Sequence, residues 1–443
     1  MSAQFFVSIV TITIVVHVIL IACAYLIFAE RKVAAWTQDR IGPNRTNLSF
    51  GLHDIWDRVG LGGIMRRMHW GLGQALADGL KLLVKEDYNP PHVDKVLFFL
   101  APALAVVPAL IAWAVIPWGG VYYFPGLTLP ILGEIEAGLV SVTVAPINIG
   151  VVFILAISSL AVYGVVLAGY ASNNKYSFLG SLRATAQMLS YEIPMGAIVL
   201  IMILTYATTD AGLMTNLQGT GTWGIFLHPL LAILFFVCIL AETNRAPFDL
   251  AEAEQELVGG FHTEYSSMKW ALFFLAEYMH MVTGCAFFVL LFLGGWDLLP
   301  FMAVLPVVTE SIFVVLLKAG VFAGKIFLLL MVMMWIRWTL PRLRFDQLMT
   351  LAWRALIPMV IIMLLLTGAL VFANNTMADG LPLFGLWLFV ANVVVGLATM
   401  FLGPKLPQGP SMNRRVRLEG SRFYPPLPES DETSAERETM ASV

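Results

Sequence analysis

The sequence predicts an all-α polytopic membrane protein with about nine transmembrane helices, structured cytoplasmic loops and an extended C-terminal tail. Three observations carry that prediction. The 443-residue chain is 59% hydrophobic and only 12% charged, about half the charge of an ordinary soluble domain. Nine apolar stretches interrupt it, most near the roughly 20 residues that cross a hydrocarbon core. Among the linkers between those stretches, Lys and Arg occur only in alternate ones. In lipid the backbone must satisfy its own polar groups, so the stretches are read as helices.

The first stretch, residues 5–29, is about 25 residues long and has no basic residue before it. A secretory signal has a charged start and a shorter apolar core, so this is read as a retained first helix. The remaining spans are 96–118, 147–170, 190–208, 226–243, 269–294, 311–336, 355–373 and 386–402. The span at 226–243 is short and is expected to tilt into protein or end early. Pro102, Pro108, Pro194 and Pro358 are expected to bend their helices. Residues 1–403 thus form one transmembrane helical domain, and 404–443 a cytoplasmic tail that opens PKLPQGP and ends rich in Ser and Glu.

The linkers 119–146, 209–225, 295–310 and 374–385 contain no Lys or Arg. The opposite linkers hold Arg40, Arg45, Arg58, Arg66, Arg67, Lys81, Lys85, Lys175, Arg183, Arg245, Arg342 and Arg344. Basic linkers stay in the cytoplasm, which puts the N-terminus outside and the tail inside. Within the first basic loop, GQALADGLKLLVKE at 73–86 places Leu76, Leu80 and Leu83 on one helical face and Lys81 and Lys85 on another. Such a helix lies at the membrane interface or docks on another protein.

Several function classes drop out. Cys23, Cys238 and Cys285 lie in apolar runs with no ligand-like spacing, which points to buried packing rather than a zinc or iron–sulfur site. No glycine-rich phosphate loop occurs, so direct NADH or ATP binding is not expected, nor is nucleic-acid binding. His17 lies mid-span and reads as a neutral core residue.

Charges inside spans are costly in lipid and mark function or a structural ion pair. Glu277 lies within its span, with His280 three residues on and on the same side. Lys318 and Lys325 are seven apart on one helix face, and together with Glu277 they read as a structural ion pair or as a proton or ion path. Glu192 opens a span and Glu242 closes one. Glu30, Arg31 and Lys32 close the first, either as snorkelling end charges or as part of a site. The loop at 244–265 sets Asp249, Glu252, Glu254, Glu256 and Glu264 against Arg245, with apolar residues between. It reads either as a proton-responsive cluster or as an acidic face for a basic partner.

The charged strings AERKVAAWTQDRIGPNR (29–45), ADGLKLLVKE (77–86), SNNKYSFLGSLRATAQMLSYEIP (172–194), AETNRAPFDLAEAEQELVGGFHTEYSSMKWALFFLAEY (241–278) and RWTLPRLRFDQLM (337–349) occur in this order. In them the chain resembles the H subunits of proton-pumping NADH–quinone oxidoreductase, respiratory complex I, the family of mitochondrial NADH dehydrogenase subunit 1. The resemblance implies a subunit without a redox centre that forms the quinone-access chamber in a bacterial plasma membrane. Quinone (menaquinone or ubiquinone) is then the substrate, and FMN and iron–sulfur clusters belong to partner subunits. Partners would be the cluster-bearing subunits of the hydrophilic arm, small membrane subunits beside the antiporter-like ones, and lipids.

By the same resemblance, Glu30, Arg31, Lys32, Arg40, Asp78 and Lys81 line the quinone route. Arg245, Asp249, Glu252, Glu254, Glu256 and Glu264 lie beneath the headgroup. Glu192, Glu242 and Glu277 form a polar path away from it, with Arg337 on the chamber side. The runner-up is a membrane anchor in a hydrogenase- or formate-linked relative. About twenty residues more than the family usually carries separate GPNR from ADGLK, including HDIWDRVGLGGIMRRMHW at 53–70. Their Arg66, Arg67, His69 and Trp70 would rim the quinone entrance or bind anionic lipid headgroups, and a plain interfacial insertion is the equal alternative.

Overall fold

The computed structural model describes residues 2–44, 46, 58, 60, 71–129, 133–250, 258–301, 305–377 and 383–402. Glu252, Glu254, Glu256, the residues Arg66, Arg67, His69 and Trp70, and the tail at 404–443 lie outside the described residues. The chain divides into two units, Met1–Gly396 and Leu397–Val443, and the helix bundle with its cavities belongs to the first.

Eleven helices of ten or more residues order the described residues: α1 (Ala3–Thr37), α2 (Gln74–Val84), α3 (Lys95–Ile111), α4 (Gly150–Ala171), α5 (Lys175–Tyr206), α6 (Ala211–Thr220), α7 (Pro229–Glu242), α8 (Ser267–Phe292), α9 (Ile312–Thr339), α10 (Phe345–Thr376) and α11 (Phe384–Leu402). Eight of them are long and apolar enough to cross a membrane. The exception among the nine expected spans is α7. It has 14 residues, roughly 21 Å at about 1.5 Å per residue, and His228 and Pro229 fix its start. This helix is therefore short, as its brief apolar run implies.

Several helices outrun their apolar segments. α1 continues eight residues past the expected limit at residue 29, α5 begins at Lys175 rather than 190, and α10 begins at Phe345, with a π turn at Leu351–Leu356. Hydropathy alone misses these extensions because protein, not lipid, covers them. The polar first half of α5 buries Ser177, Ser181 and Gln187. Gln187 Nε2 donates to Ala241 O (2.8 Å), Asn244 Oδ1 (3.1 Å) and Phe248 O (2.9 Å), which fixes the turn after α7.

α8 is the hub. Its apolar segment is 72% buried, against 17% for α1 and 22% for α9. It packs on α1, α3, α7 and α9, and Trp113 at the end of α3 donates to Thr283 at 2.8 Å. The outer faces of α1 and α9 leave Ile14, Ile21, Phe313 and Leu328 exposed, as lipid-facing helices do. His17 is on that open face rather than in a core, with Nδ1 2.7 Å from Thr13 O. All three cysteines are free and buried.

The linkers without Lys or Arg hold short strands that helix periodicity does not announce. β1 (Val121–Phe124) pairs antiparallel with β4 (Gly138–Ser141) and parallel with β5 (Val308–Thr309), while β2 (Leu127–Leu129) and β3 (Gly133–Ile135) form a hairpin. Gln4 at the start of α1 joins this sheet, exchanging hydrogen bonds with Ser141 O (3.1 Å) and N (2.9 Å). The sheet thus marks one end of the helix bundle, and Arg31 and Arg337 mark the other.

Helices α3 and α4 approach at Gly164, where a Cβ would stand 2.8 Å from Ala105 N and 3.0 Å from Ala101 O. Both neighbours are backbone and cannot rotate away. Gly164→Val is expected to force these helices apart and destabilise the fold by about 1–3 kcal/mol. A lowered melting temperature of the detergent-solubilised assembly checks this; an unchanged one shows that the contact is dispensable.

Candidate functional site

Because α1 runs on to Thr37, Glu30 is not a helix-end charge and is only 6% exposed. Three side chains converge on it. Tyr278 Oη and Arg337 Nη1 donate to its carboxylate, and Arg245 Nη1 stands 3.6 Å from Oε2. Arg245, 5% exposed, extends Nη2 toward Glu277 Oε2 at 3.5 Å. Its guanidinium also lies 4.3 Å from the centre of the Tyr278 ring. Buried charges persist when paired, and here two arginines face two carboxylates. The flat fork of one arginine reaches acids on α1 and α8 at once, a geometry that a lysine ammonium does not reproduce.

Beside this cluster opens a cavity of about 410 Å³. Glu30, Arg31, Arg40, Tyr278 and Arg337 supply its polar wall, and Ile27, Ala34, Phe274 and Trp338 its apolar one. An apolar cleft with a few convergent polar groups, of this size, is the usual form of a small-molecule site. Arg31 pairs with Asp78 at 2.8 Å, and Gln74 Nε2 donates to Asp78 at 2.9 Å, so α2 is tied to α1. Lys32 Nζ donates to Ile41 O at 3.1 Å and holds the chain as it leaves α1. Lys81 is exposed on α2, as are Leu76, Leu80 and Leu83.

A second, smaller cavity of about 40 Å³ lies behind Glu277. Glu277, His280 and Glu242 line it, with Ser158 and Ala161 from α4. Glu192 faces Ser159 and stands within electrostatic reach of Glu242. It sits in the middle of α5 rather than at the opening of a helix, since α5 begins seventeen residues before it. Glu277 therefore belongs to both neighbourhoods, through Arg245 on one side and the small cavity on the other.

Two acids of the 244–265 loop are placed elsewhere. Asp249 pairs with Arg342 at 3.1 Å, and Glu264 accepts from Asn174 Nδ2 at 2.6 Å, at the cap of α5. Tyr278 and His280 are functional candidates that the resemblance did not supply. The signal for both is their position on α8, next to Glu277 and one turn beyond it.

The two lysines of α9 do not join Glu277. Lys325 Nζ donates to Leu293 O (2.6 Å), Gly295 O (3.1 Å) and Asp297 O, carbonyls at and beyond the C-terminus of α8. Leu293 lies sixteen residues past Glu277, roughly 24 Å along the axis at about 1.5 Å per residue. Lys318 is fully buried, donates to Val307 O at 3.3 Å and lies near Trp296. A lysine at a helix C-terminus meets the unpaired carbonyls there, which is the structural role of Lys325. The two lysines thus serve the sheet end, with the buried carboxylate of Asp297 as their acid.

The fold and these two cavities, bridged by one arginine, define a polytopic membrane protein that buries paired charges between its helices. The chain belongs to the NADH dehydrogenase family, whose model matches residues 10–368. It is 44% identical over 369 residues to the H 1 subunit of the NADH-quinone oxidoreductase of Geobacter sulfurreducens, covering 83% of this chain and 96% of that protein. It is 41% identical over 360 residues to the H 1 subunit from Cytophaga hutchinsonii, covering 81% and 95%. The H subunit from Protochlamydia amoebophila is 42% identical over 347 residues, covering 78% and 92%.

Burial raises the Asp297 carboxyl from its ordinary 3.8 to about 6, and Lys325 and Lys318 limit the rise. The unfolded carboxyl titrates near its ordinary value. Stability from the protonated acid is therefore full below about pH 4 and is lost as pH rises through about 6. Asp297→Asn is expected to flatten the decline in melting temperature of the purified assembly between about pH 4 and 6. An unaltered slope in that variant removes Asp297 as its source.

Proposed function

We propose that this chain is the membrane subunit of a proton-translocating NADH–quinone oxidoreductase, in which the larger cavity admits the quinone headgroup and the buried carboxylates couple its reduction to proton movement. The supporting observation is the bridge of Arg245 between Glu30, at the larger cavity, and Glu277, at the smaller one. The names of the relatives support the quinone enzyme over the hydrogenase- or formate-linked reading. On this reading the chain lies in a bacterial plasma membrane with its basic linkers in the cytoplasm, and works only within the multisubunit complex. The cluster-bearing hydrophilic-arm subunits and the small membrane subunits are its neighbours. Flavin and iron–sulfur clusters would be held by those partners and would supply electron transfer there, while this chain would hold none.

The chain's own residues supply binding and charge. Ile27, Ala34, Phe274 and Trp338 take an apolar ligand, and Arg40 and Arg337 face its polar end. Reduction brings negative charge and a demand for protons. Arg245 and Arg337 are drawn toward that charge, which loosens their hold on Glu30 and Glu277. A carboxylate that loses its cation in a site of low dielectric takes up a proton. Glu277 then exchanges with Glu242 and Glu192 across α7 and α5, with Asp78 and Lys81 along the entry route. Asp249 and Glu264 belong to the loop that supplies protons from the cytoplasmic side, and the sequence assigns Glu252, Glu254 and Glu256 to the same loop.

Glu277→Gln and Glu192→Gln are each expected to lower NADH-driven quinone reduction and proton pumping in closed vesicles by tenfold or so, below the roughly 10²–10⁴ of a general acid–base group acting in the limiting step. Arg245→Lys should lower both as well, because the ammonium cannot hold two acids on separate helices. Pumping at the normal rate in both carboxylate variants removes the coupling role.

A further inference from the structure

His280 stands one turn beyond Glu277 on α8, yet takes no part in the Glu30–Arg245–Glu277 cluster. Its Nε2 is buried, and among the described residues no protein group is within hydrogen-bond distance of it. Native interiors seldom leave such an atom without a partner. The ring lines the cavity of about 40 Å³ that also receives Glu277 and Glu242. A polar space holds water once it exceeds about 10–15 Å³, so this one has room for water and the polar groups to bind it. Around the ring stand Glu277 from α8, Glu242 from α7, Ser158 from α4 and the Ala105 backbone of α3. Glu192 lies beyond Glu242, and Arg245 anchors Glu277 from outside.

We propose that His280 carries protons between Glu277 and Glu242 through water held in this cavity. The inference rests on the carboxylate reading and adds to it the group that joins two of its members. Glu277 in its acid form gives a proton through water to the imidazole nitrogen, and the imidazolium gives one to the Glu242 carboxylate. One proton moves, no electron does, and the ring returns to neutral. Imidazole suits this step because the one ring can both accept a proton and release it again. A side chain that only fills space or only hydrogen-bonds water cannot complete it.

The test uses the whole complex in closed membrane vesicles. His280→Gln keeps hydrogen-bonding atoms and similar bulk but carries no proton. NADH-driven pumping and quinone reduction are expected to fall at least fivefold, with a larger solvent deuterium isotope effect. NADH oxidation by an artificial acceptor that draws on the hydrophilic arm is expected to stay unchanged. Ala161→Val, which fills the same cavity from α4 without replacing an ionisable group, is expected to give the same loss and serves if His280→Gln fails to assemble. Normal pumping with a normal isotope effect in either assembled variant overturns the proposal. Glu277→Gln run in parallel separates the two ideas. Loss of pumping there, with pumping retained in His280→Gln, sinks the role of His280 alone; retention in both sinks the carboxylate reading as well.

Discussion

The arrangement depends on one guanidinium. Arg245 leaves α7 in a turn held by Gln187 and lies between the acids of α1 and α8. Without it, Glu30 would retain Arg337 and Tyr278, but the direct bridge from the larger cavity to Glu277 would be gone. Its position is set by packing as much as by charge. The Tyr278 ring lies against the guanidinium, and Tyr278 Oη donates to the same Glu30 that the arginine faces. Replacing any member leaves a buried charge or a buried hydroxyl short of a partner, which is the costly direction for such networks.

The spans of the long apolar helices were legible from hydropathy, because lipid imposes the same demand on every residue of a crossing segment. Their extensions were not. The polar half of α5 is buried by the turn after α7 and by Gly260, whose Cα would stand 2.7 Å from a Cβ at Gly180. Such protein-covered helix carries no apolar periodicity. The short strands β1 to β5 were equally hidden, since each holds only two to four residues.

Charges were legible as charges, and their grouping was not. Spacing puts Lys318 and Lys325 on one face and marks Glu277 as intramembrane, but spacing along separate helices says nothing about depth. The fold resolves it: Lys325 binds the end of α8 that Glu277 is farthest from. Likewise Glu30, Arg31 and Lys32 are adjacent in sequence but part company in space. Glu30 turns inward to the arginines, Arg31 reaches Asp78 on α2, and Lys32 holds Ile41. A helix rotates about 100° per residue, so neighbours in a charged string serve different partners.

On the proposed coupling, the sizes of the two cavities limit what can pass between them. About 410 Å³ accommodates a ring-sized ligand, whereas about 40 Å³ accommodates water and little else. Whatever occupies the first therefore cannot follow Glu277 into the second. Only charge can cross, either as a displacement of Arg245 or as a proton. Either would act on Glu277, since a carboxylate deprived of its cation gains proton affinity in a site of low dielectric. On the proposed function, the narrowness of the second cavity works with the bridge: it would keep a ligand on the Glu30 side while protons pass among the carboxylates of α5, α7 and α8.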